Sequence, residues 1–135
     1  MESPTHRGLV DLAILLTKRV VPSGLHCLIE ADREGFIRPT KVTGGAVPDV
    51  SFSGGDFYII SEAKTVNDFN RRHSHEQFLS YMDALSDFSG ESILIITVPM
   101  IIYPDAINHF RNLKRKTKSR AKVLISCDVD LTTVV

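Results

Sequence analysis

Cysteine is scarce in this chain: Cys27 and Cys127 are the only two, a hundred positions apart. That separation provides no metal-ligand spacing and no disulfide framework, and the expectation is reduced thiols in a cytoplasmic protein. Charge of one sign is also lacking, since sixteen Lys and Arg balance sixteen Asp and Glu. A neutral chain makes no whole-molecule case for binding nucleic acid, so local charge must carry any such case. Long apolar runs are missing too. The longest, residues 12–16, is far below the ~20 residues that span a bilayer, which excludes a membrane helix. There is no repeat and no low-complexity tract. The Gly44-Gly45 pair has no helix with Lys-Ser/Thr behind it, so it is not a phosphate-binding loop. No Ser-His-Asp or Cys-His nucleophile arrangement can be argued. What remains is an ordinary globular composition, 43% hydrophobic and 24% charged, read as one domain over residues 1–135.

Residues 48–64 organise the rest. Pro48-Asp49-Val50-Ser51-Phe52, then Ser53-Gly54-Gly55-Asp56, then Phe57 to Lys64 read as two strands joined by a tight turn. With Phe52 facing Phe57 across a four-residue loop, Asp49 stands opposite Ile60. Period-two alternation then sets Asp49, Glu62 and Lys64 on one face, while Val50, Phe52, Phe57, Ile59 and Ala63 take the other. Charges on a half-buried sheet surface are costly unless paired or bound to a cation. Two carboxylates and an ammonium side by side suit metal-assisted hydrolysis of a phosphodiester: carboxylate oxygens hold Mg²⁺ and leave positions for water and phosphate.

The remaining elements follow from pattern. Helical spacing of Leu9, Leu12, Ala13, Leu16 and Val20 predicts a helix over 5–21, ended by Pro22-Ser23-Gly24. Residues 25–31 read as a strand, resuming at 36–38 after a turn. A loop at 43–45 leads into the hairpin. A second helix is expected over 74–88, with Phe78, Tyr81, Met82, Leu85 and Phe88 inward and Ser74 as its N-cap, forming a capping box with Gln77. The apolar run at 92–98 is a strand buried on both faces. A third helix covers 104–118 and a last strand 122–127. His73 and His75 are a thin zinc pair, better explained by a solvated loop or phosphate contact. Lys114, Arg115, Lys116, Lys118, Arg120 and Lys122 place six positive charges in nine residues. With Arg71 and Arg72 they form a candidate track for a phosphate backbone.

Pro48-Asp49 followed by Glu62-Ala63-Lys64, in the order helix, strand, hairpin, helix, strand, helix, strand, resembles the PD-(D/E)XK nuclease superfamily. Gln77-x-x-x-Tyr81 resembles the additional motif of its RecB-like and lambda-exonuclease-like branches. The resemblance implies an α/β fold, a restriction-endonuclease-like αβββαβ core whose mixed central sheet is flanked by helices. It implies that Asp49, Glu62 and the Ala63 carbonyl bind Mg²⁺ or Mn²⁺, that Lys64 serves the attacking water, and that Gln77 supports the site. Many members of the superfamily carry an acidic residue or histidine on the first helix that faces the metal, a place for which Asp11 is the first candidate and His6 the second. The implied activity is structure-selective or nonspecific DNA cleavage, with a homo-oligomer or larger nuclease complex left open. The alternative is a noncatalytic nucleic-acid-binding or assembly subunit that keeps the fold.

Overall fold

The structure is a computed structural model that describes residues 4–42, 44–129 and 131–135. Thr43, in the expected 43–45 loop, lies outside the described residues. The chain runs α1 (Pro4–Val20), a 3-10 turn (Ser23–Leu28), β1 (Glu30–Ala31), β2 (Val50–Gly54), β3 (Phe57–Ala63) and a short α2 (Val66–Phe69). It continues through α3 (Arg72–Ser86), β4 (Glu91–Val98), a second 3-10 turn (Met100–Ile102), α4 (Tyr103–Thr117), β5 (Lys122–Cys127) and β6 (Thr132–Val134). The strands form one six-stranded mixed sheet in the order β1-β2-β3-β4-β5-β6. β1, β2 and β3 are antiparallel neighbours, β3, β4 and β5 are parallel, and β6 returns antiparallel. The fold is mixed α/β with helices flanking the sheet.

Two apolar layers hold it together. On one face α1 lays Leu9, Val10, Ala13 and Leu16 against Val50, Phe52, Ile59, Ala63, Ile93 and Ile95. On the other, α3 and α4 pack Phe78, Tyr81, Met82, Leu85, Phe110 and Leu113 onto Ile60, Leu94, Ile96, Val123 and Ile125. Strand β4 supplies alternate residues to both layers, as an apolar run buried on both sides must. Buried hydroxyls fix α1 on its face. Thr97 Oγ1 donates to the Leu9 carbonyl at 2.9 Å, and Thr17 Oγ1 lies 3.0 Å from Ser61 Oγ.

Three local expectations change. The hairpin pairs Gly54 with Phe57, Phe52 with Ile59 and Val50 with Ser61, two residues away from the register that put Asp49 opposite Ile60. A two-residue turn through Gly55, at φ +56°, matches the strand twist better than a four-residue loop. A slip of two preserves the faces, so Val50, Phe52, Ile59 and Ala63 still meet α1 while Glu62 faces α3. The strand expected over 25–31 keeps only Glu30–Ala31. His26 Nε2 lies 2.9 Å from the Lys18 carbonyl and 2.8 Å from that of Val21, which folds the chain back on the end of α1. Residues 36–38 form no strand, although the Ala31 N–H donates to the Ile37 carbonyl. Finally, α3 begins at Arg72, so Ser74 lies inside it. Its hydroxyl donates to the Asp68 carbonyl at 2.6 Å and does not cap the helix.

Candidate active site

The hairpin register, carried one step past Val50 and Ser61, sets Asp49 opposite Glu62 at the C-terminal end of β3. Pro48 would come next and has no N–H to extend the ladder. The Asp49 side chain takes over: its Oδ2 accepts the Ala63 N–H at 2.9 Å, while the Asp49 N–H donates to Glu62 Oε1 at 3.2 Å. Each acidic residue is thus tied to the other's strand. This pins two carboxyl groups beside one another.

Glu62 and Lys64 are almost wholly buried, at 4% and 7% exposure. Lys64 Nζ lies 3.4 Å from Glu62 Oε2 and donates a short hydrogen bond to Gln77 Oε1. It also stands 5.9 Å from the centre of the Phe78 ring. Tyr81 Oη donates to Glu62 Oε1 at 2.9 Å. Gln77 and Tyr81 therefore both reach the site from one face of α3, as their i, i+4 spacing permits. Burial pushes the Glu62 carboxyl up to about 8, with the Asp49 charge adding to the rise and Lys64 opposing it. Burial and the nearby Glu62 hold the Tyr81 phenol firmly protonated.

The first helix contributes His6. Its Nε2 lies 3.5 Å from Asp49 Oδ2. Asp11, the first candidate for that place, instead points to solvent with its side chain 62% exposed, and Arg33 Nε donates to its Oδ1 at 2.8 Å. The physical reason is helix phase. Leu9, Val10 and Ala13 take the sheet-facing side of α1, which leaves position 11 outside. Glu30, on β1, accepts from Ser51 Oγ at 3.1 Å.

The expected phosphate track divides. Arg71 and Arg72 stand before and at the start of α3, on the Glu62 end of the sheet, and each lies near a carboxylate, Asp68 and Glu76 respectively. Lys114, Arg115, Lys116 and Lys118 lie at the end of α4. Because α4 crosses between the parallel strands β4 and β5, its end meets their starts, where Lys122 pairs with Ile93. Glu62 pairs with Ile96. The two groups of cations thus occupy opposite ends of the sheet and form no single track.

Sequence reasoning alone does not put the Tyr81 hydroxyl on the carboxylate, although the signal is present in its spacing from Gln77. Nor does it single out His109, whose ring meets His75 edge-on at 5.6 Å and whose Nε2 is buried with no hydrogen-bond partner among the described residues. His73 is exposed, and among the described residues no zinc set forms with these histidines.

Could these donors hold a divalent cation? Asp49 and Glu62 supply hard oxygen ligands; burial first, and the Asp49 charge second, raise the Glu62 carboxyl, and a bound cation would favour its ionised form against both. Among the described residues no group of three His, Cys, Asp or Glu stands together as a metal-holding set. A cation here would need backbone, water or substrate oxygens to complete its shell, which is the habit of Mg²⁺. No protein-family model, curated protein or solved structure matches the chain.

Proposed function

We propose that this chain is a metal-dependent deoxyribonuclease of the PD-(D/E)XK kind, with a restriction-endonuclease-like core. The observation that carries the reading is that Asp49 and Lys64 both reach Glu62 at one hairpin end, Asp49 through its N–H and Lys64 through its ammonium. Asp49 and Glu62 would hold Mg²⁺ or Mn²⁺, with the Ala63 carbonyl as a further oxygen. The ion would offset charge developing on the phosphodiester and favour ionisation of the attacking water. Lys64, as an ammonium, would orient that water and steady the hydroxide that forms. Gln77 fixes the ammonium through its amide oxygen, and Tyr81 with the Asp49 N–H fixes one oxygen of Glu62. His6, whose Nε2 lies 3.5 Å from Asp49 Oδ2, would meet a phosphate oxygen or a bound water.

Incubation of supercoiled plasmid and four-way-junction DNA with Mg²⁺, with Mn²⁺ and with EDTA tests the reading. Cleavage is expected with metal, and not with EDTA or in Lys64→Ala. Cleavage under every condition, or under none, overturns it.

One observation favours a second reading, a noncatalytic nucleic-acid-binding or assembly subunit. Glu62 and Lys64 are almost completely enclosed and already hydrogen-bonded to protein groups. Binding of DNA without cleavage at saturating Mg²⁺ or Mn²⁺ selects this alternative.

A further inference from the structure

The six cations at the end of α4 and the start of β5 serve no part of the carboxylate site. Three residue steps along β4 lead from Ile93, the partner of Lys122, to Ile96, the partner of Glu62. At roughly 3.3 Å per strand residue that is about 10 Å along the sheet before the length of any side chain is counted. A cation bound for the reacting phosphate would not be placed there.

A helix C-terminus attracts cations in any case, so their presence needs more than count to be informative. Two features supply it. The first concerns pairing. Arg33, Arg38, Arg71, Arg72 and Lys64 each stand against a carboxylate. Lys114 Nζ donates to a Val135 oxygen and Arg120 Nη2 to the Ser86 carbonyl. Among the described residues, however, no ion pair joins Arg115, Lys116, Lys118, Arg120 or Lys122 to an Asp or Glu. This holds although Asp83, Asp87 and Glu91 belong to the same end of the sheet, on the end of α3 and the start of β4. These five side chains are exposed, so their charge is presented outward.

The second feature is the backbone of Lys118. It caps α4 in the left-handed region, at φ 53° and ψ 32°, the single non-glycine residue with positive φ among those described. Glycine or asparagine normally takes that position because a Cβ is disfavoured there. A lysine at a strained position invites a functional reason.

We propose that the segment 114–122 is a docking surface for the phosphate backbone of a nucleic acid, set apart from Asp49 and Glu62 and holding a stretch of the polymer that is not being cut. The choice of partner rests on the phosphodiester reading of the site. Flexible, outward-facing cations with no aromatic among them suit phosphates and give no base readout.

The test uses the full chain, a fluorescein-labelled 30-base-pair duplex in EDTA, and salt from 50 to 200 mM. The triple variant Arg115→Gln/Lys116→Gln/Lys118→Gly is expected to bind at least about tenfold more weakly at 50 mM salt. Its log-log salt slope should be shallower by about 2 to 3, near 0.9 for each phosphate that is no longer neutralised. Lys118→Gly alone should raise the melting midpoint, because the strain is removed, while lowering DNA affinity. A merely structural lysine would not move the two in opposite directions. Unchanged affinity and slope in the triple variant overturn the proposal. So does a wild-type chain that fails to bind the duplex, or one that binds phosphatidylserine vesicles more tightly than DNA. Parallel digestion with Mg²⁺ separates the two readings. Weakened binding in the triple variant with no cleavage by wild type sustains the docking surface and removes the nuclease. Cleavage by wild type with undisturbed binding in the variant does the reverse.

Discussion

Tyr81 and Glu62, nineteen positions apart, are joined by a 2.9 Å hydrogen bond in which the phenol donates to a buried carboxyl oxygen. Tyr81 is wholly buried on α3, and its ring packs in the same apolar layer as Ile60 and Ile96. One residue therefore belongs to the core and to the candidate site. Tyr81→Phe keeps the ring and removes only the donor. A loss of about 1–2 kcal/mol in unfolding free energy is expected by urea denaturation, the usual scale for a hydrogen bond to such a group. Retained stability together with unchanged activity would show the bond to be idle.

The buried Glu62 carboxyl makes the metal-free protein sensitive to pH. Its proton affinity is raised from the ordinary 4.5 to about 8, chiefly by burial and secondarily by Asp49. The folded state therefore holds this proton more tightly than the unfolded chain does. The resulting stability is complete below about pH 4.5 and is lost as pH rises toward 8. In EDTA, unfolding free energy should decline over that window by at most about 1.4 kcal/mol per pH unit. Glu62→Gln should flatten this slope. An equal slope in the variant would assign the effect elsewhere.

His6 and Asp11 offer a paired comparison on one helix. His6→Ala should lower DNA cleavage with Mg²⁺ by about tenfold or more, a loss of the order expected for one positioned polar group. Asp11→Ala should leave cleavage within about twofold, because that side chain faces solvent beside Arg33. Rates measured under single-turnover conditions decide the matter. The opposite ranking would mean that α1 is turned differently about its axis.

Gly90 tests the turn below the sheet. A Cβ at this position would come within 2.3 Å of the Asp56 carbonyl oxygen and 2.7 Å of the Phe88 ring. That carbonyl also receives the Glu91 N–H at 2.7 Å. Gly90→Ala should cost about 1–3 kcal/mol through overpacking, read as a lower urea midpoint with an unchanged denaturant slope. A neutral result would mean the turn can shift at no cost.

The elements with strong period were legible in the chain: α1, α4, β4 and β5 fall within a residue or so of their expected bounds. So did the two faces of the hairpin, because alternation survives a slip of two residues even when the register does not. Asp49 and Lys64 both reach Glu62 for that reason. What could not be read depends on contacts distant in sequence. His26 turns a strand-like segment into a 3-10 turn by reaching carbonyls of α1. The phase of α1 that selects His6 over Asp11 is set by which residues fit the sheet, and its apolar surface was too broad to reveal it. The separation of Arg71 and Arg72 from the 114–122 cations follows from two crossovers, a property of topology and not of local composition. Strand β6 is three residues long and leaves almost no periodic signal.

The outermost strands of the sheet are its shortest, two residues in β1 and three in β6. Each therefore presents few free backbone groups for another chain to continue, and a strand added from outside would gain little ladder. An extended, sticky rim is the usual route by which sheet proteins template one another into fibres. Here the long strands β3 and β4 lie inside, shielded by their neighbours. Clumping through edge-to-edge growth should accordingly begin only after the sheet itself has come apart.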